Sequence, residues 1–156
     1  MRWTPLFALS LLVLALPAHA ARQAGSSTTT IRLISTTTRT RMLVDRPPTL
    51  VVNNGDVLLA KSILRNEVAQ FGRQQSATVG SDVWTYTQVT RYTGDVKATA
   101  TLPGGTIHAA GRIGDTPAQT IRVTGGTGSY ADARGTSTVT DRRGPRAIIV
   151  YRLQLP

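Results

Sequence analysis

The chain has no cysteine, and only two of its 156 residues are histidine. A disulfide framework, a cysteine-ligated metal and a thiol nucleophile are thereby excluded. Acidic residues are scarce, with 8 Asp and Glu against 18 Lys and Arg. Long apolar runs are missing except for one at the start of the chain. No segment of ten or more residues shows helical periodicity free of glycine or a β-branched block, and residues 60–71 are the only place where a helical turn is expected.

The apolar run identifies a separable leader. Arg2 supplies a positive start, Leu6 to Leu16 a short apolar core, and Ala18 and Ala20 flank His19 in a small-x-small cleavage pattern. Residues 1–20 therefore read as a secretory signal peptide, and Pro17 and the short run argue against a membrane anchor. Loss of Arg2 with the leader leaves 17 basic against 8 acidic residues, a net charge of +9. Such a charge would suit an anionic surface or simply a soluble exterior. The arginines are spread along the chain with no dense cluster beyond Arg142 and Arg143, so specific nucleic-acid binding is not expected.

What remains is strand-like. Residues 21–29 are small and polar and read as a flexible lead-in. Residues 30–41, 57–64, 73–79, 82–93, 96–102, 106–113, 119–124, 130–140 and 146–155 are β-branched or alternating, and residues 50–53 flank a further turn. The separators carry turn chemistry: Pro47 and Pro48, Gly55, Pro103 to Gly105, Gly114 to Pro117, and Asp141 to Pro145. Short strands at this spacing predict an all-β barrel or sandwich in one domain.

The clearest alternation is residues 82–93 (DVWTYTQVTRYT). Trp84, Tyr86, Gln88, Thr90 and Tyr92 share one face and are the candidates to line a cavity, a core or a subunit interface. Residues 123–135 (VTGGTGSYADARG) place Gly125, Gly126 and Gly128 between two β-rich runs, as a tight hairpin turn would need. A phosphate-cradling loop would need a following helix and a GxGxxG or Lys-Ser/Thr spacing, and neither is present.

Few groups could carry chemistry. His108 is the only histidine after the leader, and no acidic residues cluster with it in sequence, so neither a metal nor a cofactor is expected. Nothing like a GxSxG elbow accompanies it. His108 shares a strand face with Thr106, Ala110 and Arg112. If that face is interior, Arg112 would lower the imidazole's proton affinity and line the cavity; if exterior, the pair is an ordinary polar surface. Asp132 and Arg134, two residues apart, could form an ion pair near the barrel mouth that is either catalytic or structural.

The 123–135 block resembles the signature of the dirigent proteins and the related allene oxide cyclases, which reads approximately (I/V)-x-GG-(T/S)-G-x-(F/Y)-x-x-A-(R/Y)-G. Residues 54–57 (NGDV), 64–72 (LRNEVAQFG) and 105–111 (GTIHAAG) are similar to further segments of that family in order and spacing. The resemblance implies a single antiparallel eight-stranded β-barrel over residues 30–156, often trimeric, with an apolar cavity. It further implies that Arg134 lies in or near the pocket. With Asp132 and His108 from the strand-face readings it makes up the candidate catalytic set; Trp84, Tyr86, Tyr92, Tyr130 and Arg112 are the candidate ligand-binding residues, and Gly125, Gly126, Gly128 and Gly135 the candidate turn residues.

The match is incomplete. Dirigents carry an aspartate close to the glycine turn, where this chain has Gly128 and Ser129. Allene oxide cyclases carry a Glu on the first strand, an Asn near position 62 and a Cys, where this chain offers Ser35 to Thr38, Ser62 and no Cys. Allene oxide cyclisation is therefore not expected, and no buried carboxylate able to steer a cationic intermediate stands out. The implied function is a secreted barrel that binds a hydrophobic or phenolic small molecule and guides its cyclisation or coupling, as a trimer or dimer. An inert carrier and an envelope-associated structural barrel are the alternatives.

Overall fold

A computed structural model describes residues 27–49, 51–142 and 144–156; the expected leader and most of the expected lead-in lie outside them. Eight strands follow one another around a closed antiparallel barrel: β1 (Ser27–Val44), β2 (Val57–Asn66), β3 (Thr78–Thr90), β4 (Thr93–Leu102), β5 (Gly105–Ile113), β6 (Ala118–Gly126), β7 (Arg134–Asp141) and β8 (Arg146–Leu155). Closure removes every free edge, so the ladder satisfies its own backbone groups.

The long β1 makes closure possible. Its first half, Ser27 to Thr36, pairs with β8, and the stretch from Leu33 to Val44 pairs with β2. That stagger is the offset a tilted barrel needs, and register shifts after Thr37 and Met42 help the strand bend. Ser27 to Thr29, expected in the lead-in, belong to this strand because β8 supplies their ladder partners.

Three other expectations are corrected. Residues 73–77 form turns and an isolated bridge between Gln70 and Arg73, and β3 begins only at Thr78. Residues 51–53 are not a strand; Asn53 instead ties the β1–β2 connection together, its Nδ2 donating to the carbonyls of Arg46, Pro48 and Val51. Residues 60–71 contain no helical turn; among the described residues the helical turn is a single 3-10 one at Gly128–Tyr130.

That turn also revises the glycine block. Gly125 and Gly126 end β6 and pair with His108 and Ile107 of β5, while Gly128 opens the 3-10 turn with φ of 60°. The connection to β7 is therefore a wound loop and not a two-residue hairpin. A Cβ at Gly128 would strike the carbonyl oxygen of Gly104, so this position needs glycine on both steric and torsional grounds.

The interior divides into two halves. At the end closed by the 3-10 turn, Leu33, Leu64, Ile107, Val123 and Leu153 are wholly buried and pack with Tyr130, Ala133 and Ile149. Toward the other end several inward positions are small, among them Ser35, Ala98, Ser137 and Ala147. Large side chains plug one half, while small ones among the larger residues of the other leave a hollow there.

Candidate functional site

The hollow half is a cavity of about 480 Å³ that reaches the surface beside Asp115, Thr116, Pro145 and Arg146. Period-two alternation on β3 sends Asp82, Trp84 and Tyr86 into it in order of decreasing depth. Val96, Ala98, Ile113, Ile121 and Ile149 complete the apolar wall.

The floor is polar. Asp82, 4% exposed, lies in register with Ser62 of β2 and Ala100 of β4. Ser35 and Ser137 are also buried there, as is Tyr151, which pairs across the ladder with Ser137. Burial raises the Asp82 carboxyl above its ordinary range, and the hydroxyls of Ser62 and Ser35 partly oppose that rise. Neither hydroxyl completes a hydrogen bond to Oδ1, which has no partner. Burial, then the charge of Asp82, pushes the Tyr151 phenol up as well, while a hydrogen bond with Ser137 acts in the opposite direction. Burial likewise raises the Tyr86 phenol.

Asp82 is the cavity-lining carboxylate that sequence reasoning does not single out. It is in phase with Trp84 and Tyr86, so the same alternation that picked out the aromatics also carries the carboxylate inward. A buried carboxylate, not expected from the sequence, is thus present on the cavity floor.

The sequence-derived candidates are scattered. Trp84 and Tyr86 line the cavity. Tyr92 does not: β3 ends at Thr90, and Tyr92 sits in the β3–β4 turn, 62% exposed, with the Arg91 guanidinium 5.4 Å from its ring centroid. Tyr130 is buried in the opposite, plugged half, where its hydroxyl donates to the Pro103 carbonyl at 2.9 Å. Arg112 projects from the outer face and makes a two-point contact with Asp95, Nε to Oδ1 at 2.8 Å and Nη2 to Oδ2 at 3.1 Å.

His108 is also on the outer face, because Ile107 and Ala109 take the inward positions of β5. Its Nδ1 lies 3.1 Å from Thr99 Oγ1 and its Nε2 3.5 Å from Thr106 Oγ1. Asp132 and Arg134 stand at the plugged end, away from the mouth. Asp132 adopts φ of 60° in the loop, and Arg134 Nη1 donates to the carbonyls of Thr124 and Ala133 instead of pairing with it. The residues expected to be catalytic are thus outside the cavity. Gly135 is the second residue of β7, where a Cβ would strike the Arg152 carbonyl oxygen.

Among the described residues no three His, Asp or Glu side chains gather at one place, and no helix is long and apolar enough to cross a membrane.

No family model and no curated protein matches the chain. Solved structures do. A pyocyanin demethylase is 25% identical with a TM-score of 0.64, over 80% of this chain and 99% of that one. A pterocarpan synthase dirigent protein is 18% identical with a TM-score of 0.59, over 83% and 84%. A Diels–Alderase from Streptomyces koyangensis is 17% identical with a TM-score of 0.60, over 92% and 84%. The chain has the closed eight-stranded barrel of dirigent proteins and cyclases, the fold that the glycine-block resemblance implied.

Proposed function

We propose that this barrel binds a hydrophobic or phenolic small molecule in its open half and guides the cyclisation or coupling of that molecule. One observation carries the reading: inward side chains fill half of the barrel and leave a 480 Å³ hollow with a single buried carboxylate on its floor. A scaffold with only a surface role would have no use for that hollow, since a barrel of eight strands can fill itself. The dirigent and Diels–Alderase neighbours, whose names denote coupling or ring closure, support the choice of chemistry.

The residues suit guidance better than multi-step acid–base catalysis. Trp84 and Tyr86 offer flat apolar walls, Asp82 anchors the polar end of the substrate, and the plugged half fixes how deep the substrate can go. Holding two reactive ends in near-attack geometry can lower a barrier by about 7 kcal/mol with no further group taking part. The apolar run and small-x-small pattern of residues 1–20 support export of the protein.

Carriage is the second reading, favoured by the absence of a second ionisable group at the floor apart from the phenol of Tyr151. Native mass spectrometry of the full chain purified from its own culture medium tests both. A small-molecule adduct that is displaced when Ala98, in the cavity wall, is replaced by Phe supports the cavity. Conversion of that molecule by fresh protein separates guidance from carriage. Absence of any adduct, together with no binding of a panel of phenols and polyenes, overturns the proposal.

A further inference from the structure

We infer that the deep end of the cavity is built for an organic cation, with a positively charged nitrogen set against Asp82 and an aromatic body against Trp84 and Tyr86. This rests on the cavity reading above and adds the sign of the charge that the ligand carries.

The unpartnered Oδ1 of Asp82 is the starting point. A carboxylate oxygen that is buried without a hydrogen bond costs stability, and such groups mark places where a partner is missing. Every element around it has been given a neutral side chain: Ser35 from β1, Ser62 from β2, Ala100 from β4, Ser137 from β7 and Tyr151 from β8. The nearest charged groups that line the cavity are Asp115, Asp141 and Arg146 at its mouth. This is a chain with more than twice as many basic as acidic residues, yet no Lys, Arg or His reaches the floor to neutralise Asp82. The positive charge is left for the ligand to bring.

The walls agree. Trp84 and Tyr86 follow Asp82 on the same face of β3, roughly 7 and 14 Å along the strand. Their ring faces attract a cation that has already lost its water, and an aromatic frame extending from a charged nitrogen would stack on them. The basic exterior sharpens the inference, because it repels cations at long range. A preference for a cation must therefore arise inside the hollow.

Binding would be linked to a proton. Burial raises the Asp82 carboxyl and a cation favours its ionised form, so entry of the ligand shifts Asp82 toward proton loss. The Tyr151 phenol stays protonated throughout, since burial and Asp82 both push it up. Affinity for a cation should rise with pH until Asp82 is ionised in the empty barrel, by up to tenfold per pH unit, and affinity for a neutral isostere should not.

The test compares 1-methylquinolinium with its uncharged carbon isostere 1-methylnaphthalene, binding the full chain at 150 mM salt between pH 4.5 and 8. The expected result is at least tenfold tighter binding of the cation at pH 8, a preference that fades as the pH falls, and proton release measured by calorimetry in two buffers. Asp82→Asn should abolish the preference and leave the isostere's affinity unchanged. Equal affinities at pH 8, or a preference that survives Asp82→Asn, would overturn the inference. If the isostere binds and the cation does not, the cavity reading stands and this one falls; if neither binds, both fall.

Discussion

Gly94 lies against the ring of Tyr86: a Cβ at position 94 would strike the ring's Cε2 and Cζ atoms. The two are diagonal neighbours on the inner face of the β3–β4 ladder, where Tyr86 pairs with Val96 and Gln88 with Gly94. The absent side chain at 94 leaves room for the Tyr86 ring. Gly94→Ala should force the ring off its seat at a cost of about 1–3 kcal/mol. In a Tyr86→Leu background the same substitution should cost much less, and a double-mutant cycle from urea unfolding measures the coupling. Additive effects would show that the contact does not hold the ring.

Asp82 predicts an inverted pH dependence. Its carboxyl is raised, so between its ordinary value and the raised one the folded chain keeps a proton that the unfolded chain has released. Its contribution to stability therefore falls as pH rises through that window and is level above it. Asp82→Asn removes the titration. The variant should be more stable than the parent at pH 8, by the cost of an unsatisfied buried group, about 1–3 kcal/mol. The two melting curves should converge as pH falls below the ordinary value of 3.8. A difference that stays constant with pH would show that Asp82 ionises as it does in the unfolded chain.

Asp56 works in the opposite sense at the other end of β2. Its Oδ1 accepts from the Arg46 amide at 2.8 Å and its Oδ2 from the Asn53 amide at 2.7 Å, and these bonds hold its carboxyl below the ordinary value of 3.8. The stabilisation is present above the ordinary range and is lost as pH falls through the depressed value. The amide proton shifts of Arg46 and Asn53 should follow one titration with a midpoint below 3.8. Two separate midpoints, or one above that value, would mean the bracing of the loop by Asp56 is not formed.

The barrel was legible because its strands are punctuated. Pro47 and Pro48, Pro103 to Gly105, and Gly114 to Pro117 interrupt β-branched runs, and β2, β4, β5 and β8 begin and end within a few residues of where those breaks put them. The site was legible only in part. Alternation identified Trp84 and Tyr86 correctly as one face, but continued the face through Thr90 to Tyr92, because nothing in the sequence marks the register shift after Gln88. Asp82 stood in the same phase and went unread, since a carboxylate at the start of a run looks like a turn residue. His108, Arg112 and Arg134 drew attention as rare or charged groups. Which face of a strand turns inward depends on the partner strands, and there Ile107 and Ala133 took the buried positions.

The glycine block offers the sharpest test of the wound connection between β6 and β7. A Cβ on Gly126 would meet the carbonyl oxygen of Thr106, and would lie 2.7 Å from the Tyr130 carbonyl oxygen and 2.9 Å from Tyr130 Cβ. All three belong to backbone or to the root of a buried side chain, so nothing can swing aside. Gly125 differs: its φ of 143° is strained for any other residue, yet an added Cβ would find only Arg134 Nη1, at 3.9 Å, the far end of a flexible side chain. Gly125→Ala should therefore cost backbone strain alone, about 1–3 kcal/mol. Gly126→Ala should cost more, and Gly126→Val should leave little folded protein, because the clash forces β5 away from β6. Urea unfolding of the two alanine variants measures the order. If Gly125→Ala proves the more damaging, torsion and not the close approach of Thr106 and Tyr130 governs this junction.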